Sequence, residues 1–135
     1  MKVVLDTNVF VSGVFFSGPP FQILQAWKNG KIQLVISPEI LEEYQHVGEI
    51  LAEEYPAIDL EPMLDHVIHH AAVFSAPPFP ERVCDDPDDD KFLACALASG
   101  SNLVISGDRH LLKVSGYQNI DVLKPRDFLD KHLQR

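Results

Sequence analysis

The chain alternates short, wholly apolar runs with longer segments whose apolar residues recur every three or four positions. Val3-Val4-Leu5 is the first such run, closed off by Asp6. A segment so short and so apolar is expected of a strand covered on both faces, as in a parallel sheet. Leu103 to Ile105 reads the same way, Ile32 to Ile36 and Ile120 to Leu123 read as strands interrupted by one polar residue each, and Val73 to Ser75 reads as a shorter strand. Between them, Gly18-Pro19-Pro20 opens a predicted helix over about Phe21 to Asn29, with Gly30 as its stop. Ser37 and Pro38 supply an N-cap and a first-position proline for the next helix. That helix places Ile40, Leu41, Tyr44, Val47, Ile50 and Leu51 at helical spacings and ends before Pro56. Further helices are predicted over Leu60 to Ala72, Phe92 to Ser99 and Arg126 to Leu133, and residues 76–90 form a loop rich in proline and aspartate. Strands separated by helices predict an α/β fold with a mostly parallel sheet. Phe10, Val11, Val14, Phe15 and Phe16 form an apolar cluster suited to the core or to a dimer surface.

The length of 135 residues fits one domain, 1–135, and 46% hydrophobic residues can build a core without disulfides. Cys84 and Cys95 lack the histidine pairing of a zinc site and read as small buried hydrophobes. No apolar run approaches the ~20 residues of a membrane span. Asp6 also interrupts the N-terminal run too early for a signal peptide, so the expected location is the cytoplasm, with no membrane partner.

The net charge of −9 at first argues against nucleic acid as a partner. The charge is uneven, however. Residues 1–90 carry 4 Lys and Arg against 16 Asp and Glu, whereas residues 91–135 carry 7 against 4. Bound divalent ions invert the electrostatics of an acidic site. A basic C-terminal surface then suits phosphates, and the acidic remainder suits a basic protein partner.

Open parallel sheets build their sites at the carboxyl ends of the strands. Asp6 directly follows the first strand and Asp108 closely follows Leu103-Val104-Ile105. Glu43 lies in the helix leaving the second strand, and Asp90 opens the helix that feeds the later strand. Four acids brought to one end repel one another, which is costly as structure. As oxygen ligands they suit a hard divalent ion, Mg²⁺ or Mn²⁺. The plainer alternatives are that Asp6 caps the following turn, that Asp108 belongs to a turn, and that Glu43 lies on a solvated helix face. Glu43 is three residues from Ile40, four from Val47 and seven from Ile50, so helical phase turns it inward, and Glu42 outward. The run from Asp85 to Asp90 holds five aspartates in six positions, more than one helix cap needs. A calcium loop is excluded, because Lys91 and Leu97 stand where its glycine and bidentate glutamate belong. His66, His69 and His70 have helical spacing that suits a metal, but no zinc-hydrolase motif accompanies them, and a polar surface stripe is the simpler reading.

These residues resemble the PIN-domain family. Val3-Val4-Leu5-Asp6-Thr7-Asn8-Val9 is similar to its opening motif, and Ser37 to Tyr44 to its second, with the acid at Glu43. Asp86 to Ala96 resembles the third motif, with the acid at Asp90, and Val104 to Leu112 the fourth, with Asp108. The variant looks like the stand-alone bacterial or archaeal toxin–antitoxin nucleases related to VapC toxins. The resemblance implies a Rossmann-like three-layer sandwich with a sheet of about five strands, Mg²⁺- or Mn²⁺-dependent cleavage of RNA, a homodimer or higher homo-oligomer, and silencing by a small antitoxin. It implies catalytic and metal roles for Asp6, Glu43, Asp90 and Asp108. The chain departs from the family in an acid-rich loop longer than the site needs, which leaves Asp86 or Asp89 open to share the metal role. Thr7, Asn8 and Ser106 would orient ligands or phosphate, and Arg109 and Lys91 would hold the RNA backbone. Two rival readings remain. One is a non-catalytic RNA- or protein-binding module of the same fold. The other is an aspartate-nucleophile phosphatase, which usually wants an acid where this chain has Asn8.

Overall fold

The structure, a computed structural model, describes residues 1–133. Five strands form one sheet: β1 (Lys2–Leu5), β2 (Gln33–Ile36), β3 (Ala72–Val73), β4 (Leu103–Ile105) and β5 (Asp121–Leu123). Their order is β3-β2-β1-β4-β5, and every neighbouring pair is parallel. The central strands are apolar because they are covered on both sides: Val3, Val4, Leu34, Val35, Val104 and Ile105 are all buried. The chain steps one way from β1 to β3, then returns to place β4 on the other side of β1. The gap between the carboxyl ends of β1 and β4 is therefore the switch point of the sheet, where such folds leave a crevice.

Seven α-helices flank the sheet among the described residues. They are α1 (Thr7–Phe15), α2 (Pro19–Lys28), α3 (Pro38–Glu54), α4 (Glu61–His70), α5 (Asp90–Ser99), α6 (Arg109–Leu112) and α7 (Pro125–Phe128). A 3-10 turn, Pro87–Asp89, leads into α5, and a π-type turn, Leu129–Leu133, follows α7. The terminal helix expected over Arg126 to Leu133 thus changes its winding after Phe128. The strand expected over Val73 to Ser75 begins one residue earlier and holds two residues. No described helix is long and apolar enough to cross a membrane.

Helix α1 absorbs most of the apolar cluster that follows β1. Phe10, Val11 and Phe15 are buried, whereas Phe16 is 44% exposed and meets Tyr55 edge-on at 5.2 Å. Gly13 lets α1 and α2 approach closely, since a Cβ there would lie 2.8 Å from the Pro20 carbonyl oxygen. The buried stripe of α3 is Ile40, Tyr44 and Gly48. Ile50, expected on the inward side, is 49% exposed. Leu60 packs where a side chain at residue 48 would stand, so the helix turns its small position toward it.

Candidate active site

The register Leu5 opposite Ile105 places Asp6 beside Ser106. The Asp6 amide continues the ladder to the Ile105 carbonyl at 3.0 Å. The Asp6 side chain is 4% exposed. Its Oδ1 accepts from the Val9 amide at 2.8 Å, capping α1, and its Oδ2 accepts from the Ser106 hydroxyl. The capping role and a place among the other acids are therefore compatible. Burial raises the Asp6 pKa to about 6. The Ser106 and Val9 bonds oppose that rise, and the charges of Asp108 and Glu43 add to it. Ser106 Oγ also receives the Asp108 amide at 2.9 Å, so one buried hydroxyl holds the turns after β1 and β4 together. Asp108 caps α6 through the His110 amide at 2.7 Å.

The aspartate run divides by direction. Asp86 is exposed and caps the 3-10 turn through the Asp88 amide at 3.0 Å. Asp88 is exposed and pairs with Lys91 at 3.1 Å. Asp90 spends both oxygens on the preceding loop, accepting from the Val83 and Cys84 amides at 2.8 and 2.7 Å. Asp89 is different, because its Oδ2 is buried with no hydrogen-bond partner among the described residues. Burial, helped by the charges of Asp108, Asp86 and Asp6, raises the Asp89 pKa to about 6, against a smaller effect of His110. Within this run, Asp89 is thus the acid that combines a buried, unpartnered oxygen with sensitivity to the charges of Asp108 and Asp6. Asp90 anchors the loop that carries the run.

Glu43 is half-buried, and Glu42 is exposed. One Glu43 oxygen accepts from the Thr7 hydroxyl, and the other pairs with Lys91 Nζ at 2.7 Å. Lys91, expected as a contact for RNA, is instead folded inward among acids. Burial presses its pKa down, but the bonds to Glu43 and Asp88 outweigh that and leave it raised. Tyr44, next to Glu43, donates from its hydroxyl to the Leu5 carbonyl at 2.5 Å and stacks on Phe10 at 4.2 Å. That tie fixes α3 to the end of β1, and an apolar spacing pattern gives no sign of it. Asn8 and Arg109 are exposed beside the crevice. A cavity of about 700 Å³ adjoins the site between α3, residues 76–82 and α5, with Glu43, Phe79, Arg82 and Lys91 in its wall.

Elsewhere, Cys84 and Cys95 are free and buried, and burial pushes both thiols up to about 12. His66 packs edge-on against Trp27 at 4.6 Å, and burial and the neighbouring His70 lower its pKa.

With the side chains as they stand, no group of three or more His, Cys, Asp or Glu among the described residues is arranged to hold a metal ion. The donor chemistry nevertheless fits one. Asp89 Oδ2 is an orphaned buried acceptor, Asp6 and Asp89 both resist ionisation, and the carboxylate oxygens of Asp6, Asp89 and Asp108 suit a hard ion.

The family model for the PIN domain matches residues 2–110, from β1 through the turn at Asp108. An uncharacterized protein of Methanocaldococcus jannaschii is 30% identical over 146 residues, covering 97% of this chain and 91% of that protein. PIN domains are generally nucleases and typically depend on a divalent metal. An all-parallel five-strand sheet with acids gathered at its switch point and a match over most of the length lead to one conclusion: the chain belongs to the PIN-domain family.

Proposed function

We propose that this chain is a Mg²⁺- or Mn²⁺-dependent endoribonuclease whose ion is held by Asp6, Asp89 and Asp108. The observation that carries this reading is the pair of carboxyls at Asp6 and Asp89, both raised to about 6 and lacking a Lys or Arg partner among the described residues. Such acids are costly in an empty site and favourable around a cation. Asp89 takes the place that the sequence motif alone gave to Asp90.

A divalent ion held by Asp6, Asp89 and Asp108 would supply an activated water near neutral pH and would offset charge on the phosphoryl oxygens. The chain's own residues do the rest. Ser106 orients Asp6 and the turn bearing Asp108, and Thr7 orients Glu43. Asn8 and Arg109, at the mouth, contact the phosphate backbone, which favours affinity over sequence choice. In-line attack by water leaves a 5′-phosphate and a 3′-hydroxyl. The wider reading is a cytoplasmic toxin of the VapC type that forms a homo-oligomer and is silenced by a small antitoxin. The strongly acidic residues 1–90 suit a basic partner.

The test is incubation of the purified chain with structured and unstructured RNAs, with and without Mn²⁺, followed by mapping of the cut ends. EDTA should stop cleavage and Mg²⁺ or Mn²⁺ restore it. Cleavage that survives exhaustive chelation would sink the metal reading, and RNA binding without cleavage would favour a binding module. Asp89→Asn should abolish Mn²⁺ binding in a chain that stays folded. Unchanged binding in that variant would return the ligand role to Asp90.

A further inference from the structure

The acids at this end of the sheet fall into two groups that differ in one respect: one group has a cationic side chain and the other has none. Lys91 Nζ lies 2.7 Å from Glu43 Oε2, 3.1 Å from Asp88 Oδ1 and 2.9 Å from the Asp88 carbonyl oxygen. Three acceptors match the three protons of an ammonium, so its donor capacity is filled. The Lys91 side chain is 17% exposed, and Nζ stands 5.1 Å from the centroid of the Phe92 ring. The other Glu43 oxygen accepts from Thr7, so each oxygen of this carboxylate has a partner in the protein. Asp6, Asp89 and Asp108 form no ion pair with Lys or Arg among the described residues.

We propose that Lys91 is the built-in counter-ion of Glu43, standing where a second metal ion would otherwise bind, so that the site takes a single divalent ion at its Asp6–Asp89–Asp108 end. The inference rests on the metal-dependent reading above. A carboxylate already bonded to an ammonium has less charge to offer, and the ammonium repels a divalent ion brought to the same oxygens. The lysine also lies in the first turn of α5, the helix into which the aspartate run leads. Its charge therefore arrives with the fold and needs no metal supply. Glu43 and Lys91 become positioning residues for one end of the site, and the metal serves the other end.

Metal counting separates this from a two-ion site. Bound Mn²⁺ is titrated on the full chain by calorimetry and by the free-ion paramagnetic resonance signal, for the wild type, Lys91→Gln, Lys91→Arg and Lys91→Gln combined with Glu43→Gln. Circular dichroism checks the fold of each. The wild type and Lys91→Arg should bind one ion per chain. Lys91→Gln should bind a second, weaker ion, and the double variant should lose it again. Two ions on the wild type, or one ion on a folded Lys91→Gln, overturns the proposal while leaving the metal-dependent reading intact. No Mn²⁺ on the wild type overturns both. The wild-type count decides the matter even if Lys91→Gln does not fold.

Discussion

Replacing Asp6 by Asn should make the metal-free protein more stable at neutral pH while removing its activity. The Asp6 carboxyl titrates near 3.8 when exposed and at about 6 in the fold, where burial disfavours its charge. Below the lower value both states hold the proton and no penalty exists. As pH rises through that interval, the unfolded chain gives up its proton more readily than the folded one, and stability falls. Above the upper value the full penalty applies. At ~1.4 kcal/mol per unit, the shift corresponds to about 3 kcal/mol. Asparagine removes that penalty and still accepts the Val9 amide. Its Nδ2 cannot accept from the Ser106 hydroxyl, however, and must donate to it instead, and exchanging a charge-assisted bond for a neutral one costs roughly 1 kcal/mol. A net gain of about 2 kcal/mol is expected at about pH 7.5, shrinking to nothing or reversing at about pH 4. The assay is urea unfolding of both chains in EDTA at the two pH values, repeated with Mn²⁺. The metal should restore the lead of the wild type. A difference between the chains that does not change with pH would refute the reasoning, because it would mean that Asp6 carries no burial penalty. Full RNA cleavage by the Asn variant would remove Asp6 from the site.

Other substitutions test the remaining parts. Asp90→Ala should cost roughly 2–3 kcal/mol in urea unfolding, since it strands the Val83 and Cys84 amides, and a cost near zero would contradict the loop-anchoring role. Gly13→Ala should destabilise by roughly 1–3 kcal/mol and by more than Gly48→Ala. A Cβ at residue 13 meets the Pro20 backbone oxygen at 2.8 Å, whereas at residue 48 it meets the movable end of Leu60; equal thermal shifts would count against this. Replacing His66, His69 and His70 together by Gln should leave the cleavage rate within a few-fold, short of the loss of about 10- to 100-fold expected on perturbing a metal site. A deeper loss would assign that helix a catalytic role.

The strands were legible in the sequence because a short apolar run bounded by polar residues has few other uses in a parallel sheet. The position of Asp6 and Asp108 at strand ends followed from the same pattern. Helix α1 was not legible. Thr7–Phe15 is rich in β-branched and aromatic residues and contains Gly13, so it has neither strong helix propensity nor one apolar face. It is helical because Asp6 caps it and because it packs against α2 and α3. The direction of each aspartate was also hidden. Asp88, Asp89 and Asp90 span the change from a 3-10 turn to an α-helix, where the rotation per residue changes, so spacing cannot say which carboxylate faces the crevice. The phase argument for Glu43 distinguished it from the exposed Glu42, although the buried stripe runs through Tyr44 and Gly48 rather than Ile50.

Tyr44 and Leu5 are neutral, and each is the chain neighbour of an acid: Tyr44 of Glu43, Leu5 of Asp6. Their hydrogen bond spans 39 residues of sequence and is buried. The spacing between the helix that bears one acid and the strand that bears the other is therefore set by a backbone carbonyl and by a phenol that burial keeps protonated, not by the acids themselves. A descendant chain that exchanged its carboxylates for amides would lose its chemistry and keep its crevice. The joint between α3 and the end of β1 would outlast the charge of the acids on either side of it.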